Sequence, residues 1–358
     1  MGGLSVHQSR KLEAAGRIIL SGIIMAVFYA FLSDGFTSFF PYINGIICAL
    51  LLGALVSFLE LELFSGKARR WKFIYLLILR TLLYSLFIPL IIFCILLITR
   101  TIKFNMGITE VLYSEEFQNY IFNKDFKIAI AYTLLLAFII SFTYQMSRKL
   151  GQGVLWDLIS GKFHHPVEVE RVFMFMNIRR SGKIIKKIGL LKFHKLLNDL
   201  AYDLSPSILA YKGKIYQYVE DELVISWNLD QGIKNSNCLR ALFDAKEKIH
   251  ARREKYFQLY GFIPQFRAAF HCGSVILGEV GDIKSETCYY GDVLNTTSRI
   301  LGQCETLGKY VLVSSTLMKR LNLPVVFNSE SCGIIPLKGK KEAIELFCIE
   351  EVQLPELS

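Results

Sequence analysis

No two of the eight cysteines form a CxxC pair, and none shares metal-ligand spacing with a neighbour. That pattern argues against a disulfide framework or a zinc ribbon. Cys48 and Cys94 lie in apolar runs and the other six in the C-terminal part, so all are read as reduced thiols. Internal repeats and low-complexity tracts are also missing, which argues against a solenoid or a long disordered linker. Charge is scarce at 20% of residues, and 53% are hydrophobic. With a mean hydropathy of +0.38, the chain is too apolar for a purely soluble protein, and membrane segments are expected. A length of 358 residues suggests two or three domains.

The net charge of +10 raises the question of nucleic acid. Much of the excess sits in short clusters beside apolar runs, where it sets membrane topology, and no nucleic-acid partner is expected. Four spans fit, at about 17–37, 41–63, 73–99 and 128–147, each near the ~20 residues that a bilayer core requires. The first run exceeds signal-peptide length and has no small-residue cleavage site, so it reads as a retained span. Lys and Arg are absent between the first two spans, whereas Lys67, Arg69, Arg70 and Lys72 follow the second and Arg148 and Lys149 follow the fourth. Both termini are therefore expected in the cytoplasm of a multi-pass protein of the cell (inner) membrane, with the 100–127 loop outside. Arg80 falls inside the third span, and Glu60 and Glu62 near the inner end of the second. Charges at that depth either pair or snorkel to the interface.

Residues 1–147 thus form a four-helix transmembrane domain and 148–165 a helical linker ending at the breaker Gly161-Lys162-Phe163-His164-His165-Pro166. His164-His165 lacks a further ligand at useful spacing for a metal. Residues 166–351 form a second domain and 352–358 a tail. Within that domain Arg171 to Ile178 reads as an apolar strand, and 181–211 as a basic patch (Lys183, Lys186, Lys187) with an apolar-periodic helix. The lysines fit a solvated or membrane-facing surface. Tyr216 to Trp227 reads as a hairpin with a charged turn, and 232–259 as one long helix. Strands are expected at 263–271, 274–283, 309–314 and after 325.

Tyr289-Tyr290-Gly291-Asp292 reads as a strand end and turn leading into a helix that carries Asn295 and Arg299 at i, i+4. One helix face then presents an amide that can orient a sugar and a guanidinium that can grip phosphate. Strand, helix, acidic hairpin, long helix, strand, then Gly-Asp-x-x-Asn-x-x-x-Arg is an order that resembles the class III nucleotidyl cyclases, across about half of the chain. The overall pattern is most similar to bacterial membrane-bound adenylate cyclases with few spans. Val219-Glu220-Asp221-Glu222-Leu223 distantly echoes the diguanylate cyclase hairpin, but that family's two glycines are missing and the Asn-x-x-x-Arg helix does not belong to it.

The resemblance implies an N-terminal α-helical membrane domain of four transmembrane helices followed by an α+β ferredoxin-like cyclase domain. It implies conversion of ATP to cyclic AMP and pyrophosphate, with two Mg²⁺ or Mn²⁺ ions per active site assisting attack of the 3′-hydroxyl on the α-phosphate. Asp221 matches one metal aspartate. The other position is Asn177, a neutral and weaker ligand for a hard cation. Glu220 replaces the glycine that the family usually has before the aspartate; a left-handed backbone there costs a side chain about 1 kcal/mol, and Glu220 also offers to restore carboxylate density. Asn295 matches the ribose-orienting asparagine and Arg299 the transition-state arginine. Gln217 and Cys288 fall at the base-recognition positions, matching neither the adenylyl nor the guanylyl pair; ATP is preferred over GTP. Lys338 and Lys340 lie where the family often has a basic triphosphate loop, and fit equally well as surface lysines in a turn.

In this family the active site forms across a dimer interface, so a homodimer or a heterodimer with an intact cyclase is implied. Two readings stay open. One is a working cyclase weakened by Asn177; the other is a catalytically inactive domain serving as the regulatory or heterodimer partner of a membrane receptor.

Overall fold

The computed structural model describes residues 6–34, 39–60, 73–122, 124–150, 165–281, 286–340 and 342–352. They divide into two compact units, residues 1–150 and 151–358.

The first unit is helical. Its long helices are α1 (Val6–Asp34), α2 (Phe40–Phe58), α3 (Phe73–Phe104) and α6 (Lys124–Leu150), with short α4 (Ile108–Tyr113) and α5 (Glu115–Phe122) between the last two. Four stretches are long and apolar enough to cross a membrane: Leu12–Leu32, Phe40–Phe58, Ile78–Phe104 and Phe126–Thr143. Each expected span falls on one of them, although 35–37 and 61–63 lie outside the described residues. Helices α1 and α2 approach closely because small residues line the contact: a Cβ on Gly53 would sit 2.9 Å from Ile19 Cγ1. Without a hydrophobic driving force in lipid, such close backbone packing is a main source of helix association.

Glu60, just past the end of α2, and Arg80 of α3 form a 2.9 Å ion pair in which neither side chain is more than 4% exposed. Tyr84 donates to Glu60 Oε1 at 2.9 Å, and Ser141 of α6 donates to the same oxygen at 2.8 Å. Pairing therefore holds over snorkelling at this position. Glu62, the basic loop 67–72 that motivates the orientation, and most of the 148–165 linker lie outside the described residues.

The second unit is built on an eight-stranded sheet ordered β2-β3-β1-β4-β6-β8-β7, with β5 also paired to β4. The strands are β1 (Val167–Ile178), β2 (Lys214–Val219), β3 (Glu222–Asn228), β4 (Phe266–Val280), β5 (Glu286–Tyr290), β6 (Val311–Ser314), β7 (Phe327–Ile335) and β8 (Ile344–Glu351). All pairs are antiparallel except β4 with β6. The near-continuous apolar run of β1 suits a central strand buried on both faces. Met174, Met176 and Ile178 face a core shared with α8 (Leu190–Ala210) and α9 (Asn237–Ala251), while Phe173 and Phe175 face one shared with α11 (Asp292–Thr306). This is the expected α+β cyclase-type fold.

Three local departures have physical causes. The strands expected at 263–271 and 274–283 are one strand, because β1 pairs through the suspected break, with Val172 opposite Cys272 and Glu170 opposite Ser274. The helix expected over 232–259 is broken: 232–236 fall in a short helix (Leu229–Ile233) and a 3-10 turn (Lys234–Ser236), followed by α9 and α10 (Arg253–Tyr260), which are separated at Arg252. There the buried carboxylate of Asp203 takes Arg252, Lys255 at 2.9 Å and Tyr256 at 2.7 Å, a polar anchor that favours the kink. Finally α7 (Ser181–Ile188) is a separate helix, ended by Gly189 at φ +80°.

Candidate active site

The β2–β3 hairpin closes through Val219 opposite Glu222, leaving Glu220 and Asp221 as its turn. Glu220 keeps the left-handed backbone, φ +51°, that glycine adopts without cost. The turn shape is thus retained at the expense of strain, and Asp221 is held half-buried beside it.

Asn177, near the end of β1, stands between Glu222 of β3 and Arg267 of β4 in the ladder. Directly opposed residues share a sheet face with Cβ atoms about 5 Å apart. The Asn177 Oδ1 is buried and has no hydrogen-bond partner. Burial, then the neighbouring Asp221 and Glu220 carboxylates, raises the Glu222 carboxyl above its ordinary range. An orphaned carbonyl oxygen beside mutually repelling carboxylates is a donor set that suits a hard divalent cation. Among the described residues no three His, Cys, Asp or Glu side chains converge; the set here is two carboxylates and an amide. Pairing across strands places Glu222 opposite Asn177, a neighbour that the linear sequence, which pointed to Asp221 and Glu220, does not indicate.

On α11, Val293, Thr296, Thr297, Ile300 and Leu301 are buried against the sheet. That leaves Asn295 exposed and Arg299 half-buried, one turn apart. The loop Pro336 to Lys340 lies against the guanidinium, since a Cβ on Gly339 would sit 3.3 Å from Arg299 Nη2. Lys340 pairs with Asp292 Oδ2 at the start of α11, and its hydrogen bond holds the Asp292 carboxyl below the usual range. Lys338 is exposed. Arg299, Asp292 and Lys340 thus form one cluster. No hydrogen bond or ion pair joins Asp221 to Asn295 or Arg299 among the described residues.

Gln217 and Cys288, the positions that the resemblance implies for base recognition, are linked through their neighbours. A bulge between Ile215 and Gln217 turns Tyr216 toward Tyr289, with ring centroids 4.8 Å apart. The Tyr289 N–H donates to the Tyr216 hydroxyl at 3.2 Å. Gln217 is exposed and Cys288 half-buried beside this contact. Large apolar side chains exposed on β2, β4 and β5 (Tyr218, Ile276, Val280, Tyr290) border the same region.

Comparison with known proteins gives a consistent picture. The sequence model of the Adenylate and Guanylate cyclase catalytic domain matches residues 168–351. Adenylate cyclase 2 of Rhizobium meliloti (strain 1021) is 33% identical over 220 residues, covering 62% of this chain and 61% of that protein. An adenylate cyclase of Anabaena cylindrica is 25% identical over 182 residues, 49% of this chain and 35% of its own. The chain therefore spans less than two thirds of the length of either relative. Among solved structures, a bacterial light-regulated adenylyl cyclase superposes with a TM-score of 0.52 at 17% identity, covering 64% of this chain and 67% of that one. At that identity the likeness concerns the fold.

Proposed function

The chain belongs to the adenylate and guanylate cyclase catalytic domain family, and from that premise we propose that it is a membrane-bound nucleotidyl cyclase that converts ATP to cyclic AMP and pyrophosphate. The observation that carries the proposal is α11, which presents Asn295 and Arg299 one turn apart with Arg299 against the Gly339 loop. The preference for ATP rests on the relative at 33% identity, which is named an adenylate cyclase.

Asp221, Glu222 and the Asn177 amide oxygen are the residues suited to hold divalent ions. Divalent ions held there would supply Lewis-acid activation of the attacking 3′-hydroxyl and neutralise charge on the phosphates. Asn295 orients the ribose, so that the hydroxyl meets the α-phosphate without a large entropic cost. Arg299 places its guanidinium where charge grows on the α-phosphate, a contribution worth about 10²–10³ in rate by analogy with other preorganised donors. Lys340, held by Asp292, and Lys338 supply positive charge for the departing pyrophosphate. Gln217 and Cys288 read the base beside the Tyr216–Tyr289 contact.

In this reading the site assembles between two chains. One protomer contributes Asp221, Glu222 and Asn177, and the partner's Asn295 and the partner's Arg299 complete it. The exposed apolar side chains of β2, β4 and β5 provide a surface for that contact. Both termini face the cytoplasm of the cell membrane, where ATP is available. Asn177 favours a second reading as well: a heterodimer with an intact cyclase would use Asn295 and Arg299 from this chain and metal carboxylates from the other. The test is turnover of ATP and GTP by the detergent-solubilised full chain with Mg²⁺ or Mn²⁺, beside Asp221→Asn. Cyclic AMP that disappears in the variant supports the assignment, and predominant cyclic GMP overturns the substrate.

A further inference from the structure

From Arg171 to Asn198 the chain holds no acidic residue and eight Lys or Arg. Five of them, Lys183, Lys186, Lys187, Lys192 and Lys195, are exposed around the joint between α7 and α8. None of these five ammonium groups meets a carboxylate among the described residues. The three on α7 point outward because Ile184, Ile185 and Ile188 on its other side pack against the core, and the two on α8 because Phe193 and Leu196 are buried in it. At the joint itself Gly189 takes φ +80° and turns the chain sharply. The turn presents Leu190 and Leu191, which are 71% and 89% exposed. Leu191, Lys192 and Lys195 also border a shallow cleft of about 470 Å³ shared with Leu259 and Tyr260 of α10.

Two adjacent leucines standing out of a field of unpaired lysines are not explained by the cyclase site or by the core. We propose that this α7–α8 corner docks on the surface of a bilayer carrying anionic lipid headgroups. Lysines at a negatively charged interface gain from its surface potential, and leucines gain by entering the region beneath the headgroups. A nucleic-acid phosphate backbone would use the lysines but offers nothing to a pair of aliphatic side chains. The chain also carries four helices of membrane-spanning length and composition. Covalent linkage to such helices keeps the local concentration of bilayer high, so a weak surface attraction is enough to hold the domain. The proposal concerns how the domain is held and does not depend on its activity.

The test uses the full chain in nanodiscs of phosphatidylcholine alone or mixed with phosphatidylglycerol, each made with brominated acyl chains. Leu191→Trp places a fluorophore at the exposed tip, and the three native tryptophans are subtracted with the unsubstituted chain. Quenching of the added tryptophan in the anionic discs, reversed by high salt, is the expected result. Combining it with Lys183→Glu, Lys186→Glu and Lys187→Glu should weaken the docked state by at least about tenfold, given the contribution of each lysine near a charged surface. Circular dichroism melting verifies that this exposed-site variant folds. Equal quenching in the two lipids, or none in either, overturns the proposal. Shielding that instead follows protein concentration assigns the corner to a second copy, and shielding by an added RNA oligonucleotide in phosphatidylcholine discs assigns it to nucleic acid; either result refutes lipid docking.

Discussion

Arg80→Leu tests whether the charge node in the helical unit is a structural unit. Glu60 is fully buried and Arg80 is 3% exposed. In the variant, the Glu60 carboxylate keeps the Tyr84 and Ser141 hydroxyls but loses its counter-ion. Removing one member of a buried pair costs about 3–5 kcal/mol, because the remaining charge is left uncompensated. Glu60→Leu strands the guanidinium and should cost a similar amount. The double variant removes both charges and leaves two hydroxyls to find other partners, so its cost should stay within about 2 kcal/mol. The cycle should therefore fall short of additivity by at least about 4 kcal/mol. Cys48 on α2 packs against the apolar cluster of the helical unit that also holds Tyr84, and its pulse labelling during thermal unfolding in mild detergent, read by mass spectrometry, reports the loss of this unit. Single variants whose costs simply add in the double variant would refute the reasoning.

Other consequences concern the second unit. Glu220→Gly relieves the left-handed turn and should stabilise the hairpin by about 1 kcal/mol in denaturant unfolding. Glu222→Gln removes a carboxylate that its surroundings disfavour when ionised; it should weaken Mn²⁺ binding, measured by titration calorimetry, without lowering thermal stability in metal-free buffer. His271 is buried, with Nδ1 2.8 Å from Ser314 Oγ, and burial followed by Lys340 lowers its pKa from 6.5 to about 4. The folded state therefore binds fewer protons than the unfolded state in that window, so about 3 kcal/mol of stability is lost as pH falls from 6.5 to 4. A His271→Gln variant should lose that component of the pH dependence, seen as a smaller shift in unfolding midpoint across the same range.

What the sequence disclosed was mostly local. The i, i+4 spacing of Asn295 and Arg299, the Gly-Asp turn and the acidic hairpin are short-range patterns with fixed geometry, and α11 and the β2–β3 turn stand where those patterns place them. The Glu60–Arg80 pair was accessible because only a short stretch separates the two helices. What escaped depends on long-range register. Nothing near Asn177 indicates that Glu222 lies across from it; the β1–β3 pairing decides that. Gly273 suggests a turn when read alone, yet the partner strand keeps it in the ladder. Likewise the helical periodicity of 232–259 gives no sign that Asp203, on another helix, gathers Arg252, Lys255 and Tyr256. The contact of Gly339 with Arg299 requires the loop to return from beyond β7, which no local pattern encodes.

The most direct measurement is the rate of cyclic AMP formation by the purified full-length chain alone, with Mg²⁺ and Mn²⁺, beside Asn177→Asp and Arg299→Ala. The account predicts product from the native chain, a loss of about 10²–10³ in Arg299→Ala, and a higher rate in Asn177→Asp, where a carboxylate replaces the buried, unpartnered amide oxygen. A native chain that makes no product while Asn177→Asp does would contradict self-sufficient catalysis and make this chain the partner of an intact cyclase.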